Sequence, residues 1–275
     1  PSPVAAERHD EINEEVDLYD RLASRDQEAL ERAARRLLGA RLTREASEGH
    51  ALPPFPEPVG LWVDSMGSAD TQQAAYRHLA PLQGERFLQL GGSGSHAVKA
   101  LLAGARCAGL LSPSLGEVKL GYALAERFGV AERFFGVVGI GELIPFADAS
   151  LERVYGGGCL HHTELKHSLP EIARVLKEGG RASFVDPQEN PIYSTWSHVL
   201  GRARFCGEED DTHDHPLDLD ELATLTRELF QGCELYASGG LARYGLLMVE
   251  RTTERALPIP LAATLFKAER AALKA

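Results

Sequence analysis

Apolar residues follow two rhythms along this chain, and the change between them falls near Gly84. Before it, Ile12, Val16, Leu18, Tyr19 and Leu22 recur every three or four residues, as do Leu30, Ala33, Ala34, Leu37 and Leu38. That spacing predicts helix from Glu11 to Leu42. Pro53, Pro54, Pro56 and Pro58 then rule out a helix, because proline lacks the amide donor and clashes with the preceding turn. Ser68 opens a further predicted helix to Leu79 as its N-cap. After Gly84, short apolar runs bounded by glycine alternate with helical stretches. The runs are Phe87–Leu90, Cys107–Leu111, Phe134–Ile140, Leu151–Tyr155, Arg181–Val185, Glu234–Ser238 and Tyr244–Glu250. The helical stretches are His96–Ala103, Leu115–Phe128, Leu165–Leu176 and Leu219–Phe230, with a last one at Leu261–Leu273. Strands buried on both faces between helices imply an α/β fold, a mostly parallel sheet with right-handed crossovers. The final two runs lie close enough to pair as an antiparallel edge hairpin, which makes seven strands.

This divides the chain into a helical extension (1–83), an α/β core (84–251) with an insertion at 187–216, and a tail helix (252–275). Hydrophobic residues are 44% of the 275 and charged residues 25%, an ordinary globular balance. A net charge of -11 argues against a nucleic-acid footprint, which needs a basic stripe. The one basic cluster (Arg32, Arg35, Arg36, Arg41, Arg44) shares its helix with Glu28, Glu31 and Glu45, so a solvated face accounts for it. No apolar run approaches the ~18 residues of a membrane span, and the acidic first twenty residues do not read as a secretory leader. Cys107, Cys159, Cys206 and Cys233 are scattered with no CxxC pair, so reduced thiols and a cytoplasmic setting are expected.

In an open parallel sheet, ligands bind beyond the carboxyl ends of the strands, so the loops there are the ones to inspect. The first is Gly91-Gly92-Ser93-Gly94, between a strand and a helix. Glycine supplies positive φ and lets backbone approach a ligand, and the helix behind it offers free amides. Such a turn is as often a tight connection as a binding site. Its company is more specific: LIPFADASLERVYGGGCLHH at 143–162, then LPEIARVLKEGGR at 169–181.

In order and spacing these motifs resemble the class I S-adenosylmethionine (SAM)-dependent methyltransferases, in particular the small-molecule, type 11-like branch. The resemblance is good over 84–188 and looser over 234–250. It implies a Rossmann-like fold with SAM as cofactor and a small-molecule substrate. It places the cofactor-binding positions at Gln89, Gly91, Gly92, Ser93 and Gly94, at Leu110 and Leu111, at Ile140, Gly141 and Glu142, and at Gly158. Three acids that hold SAM in the family fall on Gln89, Leu110 and Ile140, none of them a carboxylate. Hydrogen bonds to charged groups are worth ~1.5–3 kcal/mol each, against the ~8 kcal/mol of micromolar binding, so the resemblance implies a weakened SAM site. Gln89, through its amide oxygen, and Glu142 are the expected substitutes.

His161 and His162 follow the fourth strand, and Asp186 follows the fifth. All three are catalytic candidates, since histidine near neutral pKa suits removal of a proton from an attacking hydroxyl or amine. Capping a helix or lining a wall is the plainer role for each. In the insertion, Tyr193, Trp196, His213 and His215 are candidate substrate contacts, with Phe205 a further pocket aromatic. A histidine metal site there is outweighed by a solvated acidic loop, and no metal is assigned. Trp62 and Tyr76 either close the pocket or pack an added helical layer. Three functions remain open: SAM-dependent methyl transfer to oxygen, nitrogen or carbon of a small molecule, a methyltransferase fold repurposed away from SAM, and a non-catalytic subunit. A homodimer or a partner protein is compatible with each.

Overall fold

The computed structural model describes residues 9–24, 69–186, 217, 219–236 and 264–268. In chain order the elements are α1 (His9–Ser24), α2 (Ala69–Leu79), β1 (Arg86–Leu90), α3 (Ser95–Leu102), β2 (Cys107–Ser112), α4 (Leu115–Arg127) and β3 (Phe134–Val138). They continue with β4 (Leu151–Gly157), α5 (Leu165–Val175), β5 (Leu176–Val185) and α6 (Leu219–Leu229). The five strands form one sheet in the order β3-β2-β1-β4-β5, with every pairing parallel.

Side-chain alternation decides which residues meet which helices. Phe87, Ala108, Leu110 and Tyr155 point to the face covered by α2, α3 and α4, and they share a buried cluster with Tyr76, Val98, Leu101 and Leu124. Leu88, Leu90, Leu111 and Val154 point the other way, into a cluster with Leu169, Ile172 and Val175 of α5 and Leu222 of α6. A sheet buried on both faces has no solvent side, which is why its strands read as near-continuous apolar runs.

Two arginines seat α2. Arg153, buried on β4, donates to the Leu79 carbonyl (2.7 Å) and the Pro81 carbonyl (3.3 Å). Arg181 donates to the carbonyls of His78 and Ala80 (3.0 and 2.8 Å). Cationic side chains thereby satisfy the orphan carbonyls and the negative end of the helix. The two halves of the 143–181 motif are also one physical unit. Arg174 donates to the carbonyls of Ile144 and Phe146 (both 2.8 Å) and to Asp148, while Glu171 accepts the Ile144 N–H (2.8 Å). This clasp pins the loop that follows β3 onto α5.

The helices at 115, 165 and 219 begin where the spacing predicts, and four strands match within two residues at their starts and ends. β5 differs: it starts at Leu176, not Arg181. Leu176 pairs with Leu151 and Arg181 with Arg153, and the polar Lys177–Gly180 segment between them bulges, with Gly179 at φ 73°. Residues 232–236 carry no strand, although 234–236 open the expected sixth run. The rest of that run, the seventh run, the helix beyond Ser24 and most of the tail helix lie outside the described residues.

At the bottom of the sheet Glu152 takes the Arg86 backbone N–H (2.8 Å), the Arg86 guanidinium and the Lys177 ammonium. Burial works against its charge, but the bonds from Arg86 and Lys177 prevail and hold its pKa down at about 2. Because the folded-state value is depressed, this stabilisation is complete above about pH 4.5 and is lost as pH falls toward about 2. After allowance for solvent screening it is worth about 1–2 kcal/mol. Acid titration of unfolding free energy should show Glu152→Gln less stable than the parent at pH 7 and equal to it near pH 2. A difference independent of pH would exclude this origin.

Candidate active site

The strand order reverses between β1 and β4: the chain runs outward through β2 and β3 on one side, then returns to lay β4 on the other. In open sheets of this kind, the carboxyl edge at such a reversal is where a ligand crevice forms. Gly91, Gly92 and Gly94 all have positive φ (67°, 76° and 78°), and Gly94 caps α3. A Cβ on Gly94 would lie 2.9 Å from the Gly121 Cα, and backbone there cannot move aside cheaply. Only glycine fits both the φ and the space.

Gln89 supports this loop from beneath. Its Oε1 accepts the Ala97 N–H (2.9 Å) and its Nε2 donates to the Gly91 carbonyl (2.8 Å), with the residue 2% exposed. The sequence reading gave its amide oxygen to the cofactor, but that oxygen is bonded to the protein's own backbone. The reason is the strand alternation: Gln89 shares Phe87's face and therefore points at α3.

Leu110 and Leu111, assigned to the cofactor, are buried in the two opposite core clusters. The polar groups at this end of β2 come from elsewhere. Ser112 Oγ donates to Glu117 (2.6 Å), and Glu117 also accepts the Gly92 N–H of the glycine loop. Burial pushes the Glu117 carboxyl above its usual range, with the Asp20 charge adding to the effect. Ser114 caps α4 by accepting the Glu117 N–H (3.1 Å). Asp20, delivered by α1, accepts the Ser114 hydroxyl (2.6 Å) and the Gly116 N–H (2.7 Å), which hold its carboxyl below the usual range. Sequence reasoning passed over Glu117 and Asp20. The Ser114-x-x-Glu117 spacing of a capping box was a signal for the first, although its carboxylate turns to the glycine loop and not back to Ser114.

Beyond β3, Ile140 and Gly141 are half-buried and Glu142 is buried. Glu142 Oε1 accepts the Glu164 N–H (3.0 Å) at the amino end of α5. It tethers the loop to that helix.

On the β4 side, Asp186 Oδ1 accepts three donors: the Leu160 N–H (2.8 Å), the His161 N–H (3.3 Å) and His161 Nδ1 (2.9 Å). The two side chains are 2% and 8% exposed, and Asp186 Oδ2 is buried without a hydrogen-bond partner. A carboxylate at Nδ1 favours the tautomer that carries its proton on Nδ1. His162 stacks on His161 with centroids 3.9 Å apart, and its Nε2 lies 3.5 Å from the Tyr19 hydroxyl. Gly158, at φ 67°, is exposed at the turn. Burial, with Asp186 and Glu142 nearby, pushes the Cys159 thiol well up, which suits a packing role.

Ser93 is half-buried in the glycine loop. Tyr76 is fully buried and hydrogen-bonds His96 Nδ1 (2.6 Å) under α3, so it packs the helical layer. Tyr193, Trp196, Phe205, His213, His215 and Trp62 lie outside the described residues. Among the described residues no group of three or more His, Cys, Asp or Glu side chains is placed to hold a metal ion, and no helix is long and apolar enough to cross a membrane.

Residues 89–184 match the family described as "Methyltransferase domain". That segment, from β1 to β5, is where the chain is similar to methyltransferase domains. No curated protein matches the chain in sequence. Among solved structures it is similar to the YcgJ protein of Bacillus subtilis, at 25% identity and TM-score 0.45, covering 54% of this chain and 63% of that one. It is also similar to a geranyl diphosphate methyltransferase in complex with SAM, at 18% identity and TM-score 0.55, over 71% of this chain and 77% of that one. A third is geranyl diphosphate C-methyltransferase from Streptomyces coelicolor A3(2), in complex with Mg2+, geranyl diphosphate and S-adenosyl-L-homocysteine (SAH). There the identity is 16% and the TM-score 0.56, over 85% and 82% of the two chains. The latter two likenesses show a shared fold.

Gln89→Leu keeps the volume and deletes both bonds of the brace. It leaves a buried amide and a carbonyl unpaired, at about 1–3 kcal/mol each. Denaturant unfolding should register a loss of about 2–4 kcal/mol. A loss under about 0.5 kcal/mol would mean the brace does not hold the loop.

Proposed function

We propose that this protein transfers the methyl group of SAM to a protic oxygen or nitrogen of a small molecule. The observation that carries this reading is one juxtaposition: the glycine loop leaves β1 and the His161 turn leaves its parallel neighbour β4 at the same edge of the sheet, with Asp186 from the end of β5 bonded to His161.

The residues fit the cofactor in three respects. Glycines with positive φ form the turn at the tip of β1, the kind of turn that lets a ligand approach backbone. Glu117, supplied from α4, sets a carboxylate beside that loop and so offsets the aliphatic Leu110. It accepts two donors and retains capacity for ligand hydroxyls, since a carboxylate has about four acceptor sites. Asp186 Oδ2 is a further buried acceptor without a hydrogen-bond partner. When bound, SAM supplies a methyl group already activated by its positive sulfur. The chain's own work is alignment and proton removal. His161 Nε2 takes the proton of the acceptor hydroxyl or amine, and Asp186 holds the ring in the required tautomer and stabilises the imidazolium. A neighbour's geranyl diphosphate is not carried over as the substrate.

The internal bonds of Gln89 and the burial of Leu110 favour a second reading, a methyltransferase fold that binds no SAM. They also support a site weaker than one lined with strand-end acids. Calorimetric titration of the full chain should give SAM and SAH dissociation constants of tens of micromolar, about 6–7 kcal/mol. Absence of heat from both at millimolar concentration would establish the second reading. Once an acceptor is found, His161→Ala should lower kcat by about 100-fold or more with little change in SAM affinity.

A further inference from the structure

Helix α1 reaches both walls of the crevice with two consecutive residues. On the β2 side, Asp20 bonds the Ser114 hydroxyl and the Gly116 N–H. These belong to the N-cap and first turn of α4, the same turn whose Glu117 takes the Gly92 N–H. A single helical turn therefore separates the α1 attachment from the glycine loop. On the β4 side, Tyr19 brings its hydroxyl within 3.5 Å of His162 Nε2 and sets its ring edge-on to the imidazole, centroids 6.4 Å apart. His162 rests on His161, and Asp186 holds His161.

We propose that α1 is part of the ligand site, with Asp20 and Tyr19 as positioning residues that join the glycine-loop wall to the histidine wall. The proposal rests on the switch-point crevice being the SAM site. Neither residue needs to touch the reacting atoms. Asp20 fixes the turn that carries Glu117, and Tyr19 fixes the face of His162. Both attachments end on the groups that border the ligand, so α1 docking and ligand binding share contacts. Linkage then makes them reciprocal: the factor by which bound ligand strengthens α1 docking equals the factor by which docked α1 strengthens ligand binding.

The test pairs hydrogen–deuterium exchange over residues 9–24 with calorimetry, on the full chain, with SAH as the probe. In the parent protein, saturating SAH should slow exchange of the α1 amides by about 5-fold or more. D20N, by undocking α1, should speed α1 exchange without ligand and weaken SAH binding by up to the factor by which SAH protects α1 in the parent, about 5-fold or more. Y19F leaves the Asp20 attachment in place, and should shift the NMR titration of the His162 ring while leaving that of His161 unmoved. A purely structural Asp20 would lower the melting temperature yet leave α1 exchange indifferent to SAH. If SAH binds parent and D20N equally and α1 exchange ignores the ligand, the inference is overturned while the SAM site stands. An unmoved His162 titration in Y19F would remove Tyr19's part. If SAH does not bind the parent, this inference and the proposed function fall together.

Discussion

Adjacent parallel strands that send their chains in opposite directions leave a gap, and a gap lined with backbone amides is stable only if something bonds them. In this protein three side chains do so. Gln89 takes the Ala97 amide and holds the Gly91 carbonyl, Glu117 takes the Gly92 amide, and Asp186 takes the amides of Leu160 and His161. Every one sits at or just beyond the carboxyl edge of the sheet. The crevice exists because these polar groups are spent on the loops around it, as unpaired buried amides would otherwise cost about 1–3 kcal/mol each.

The same economy separates groups that only build the site from groups with capacity left. Gln89 has its amide oxygen and nitrogen committed. Asp186 commits one oxygen and keeps the other, buried and unpartnered, beside a histidine whose tautomer it sets. A buried carboxylate left half-satisfied is costly unless a ligand relieves it, which is why the proposed chemistry is placed here. Cys159 lies close to the same carboxylate, but its raised pKa keeps it a thiol.

The sheet was legible in the sequence because glycine-bounded apolar runs of four to seven residues, separated by helical spacing, have few other solutions. The start of β5 was not, since Lys177–Gly180 reads as a polar turn and only pairing across to β4 makes Leu176 a strand residue. At the site, the glycines and the histidine–aspartate candidates were visible as residue types at strand ends. Their division of labour was not. Nothing in the consecutive pair His161-His162 says that the first bonds Asp186 and the second faces Tyr19, because a single 3-10 turn sets both directions. The direction of Gln89 follows from strand alternation, which puts it on the face of Phe87. Asp20 and Ser114 are 94 positions apart, and no local pattern encodes that contact.

The central claim is that a ligand occupies the crevice between the β1 and β4 loops, and site-resolved amide spectra during titration with SAH test it most directly. The account predicts that the amides of Gly91–Gly94, Glu117 and Gly156–His162 shift together and saturate, while those of Lys177–Gly180 at the opposite edge stay still. Shifts confined to other surfaces, or none at millimolar ligand, would contradict it.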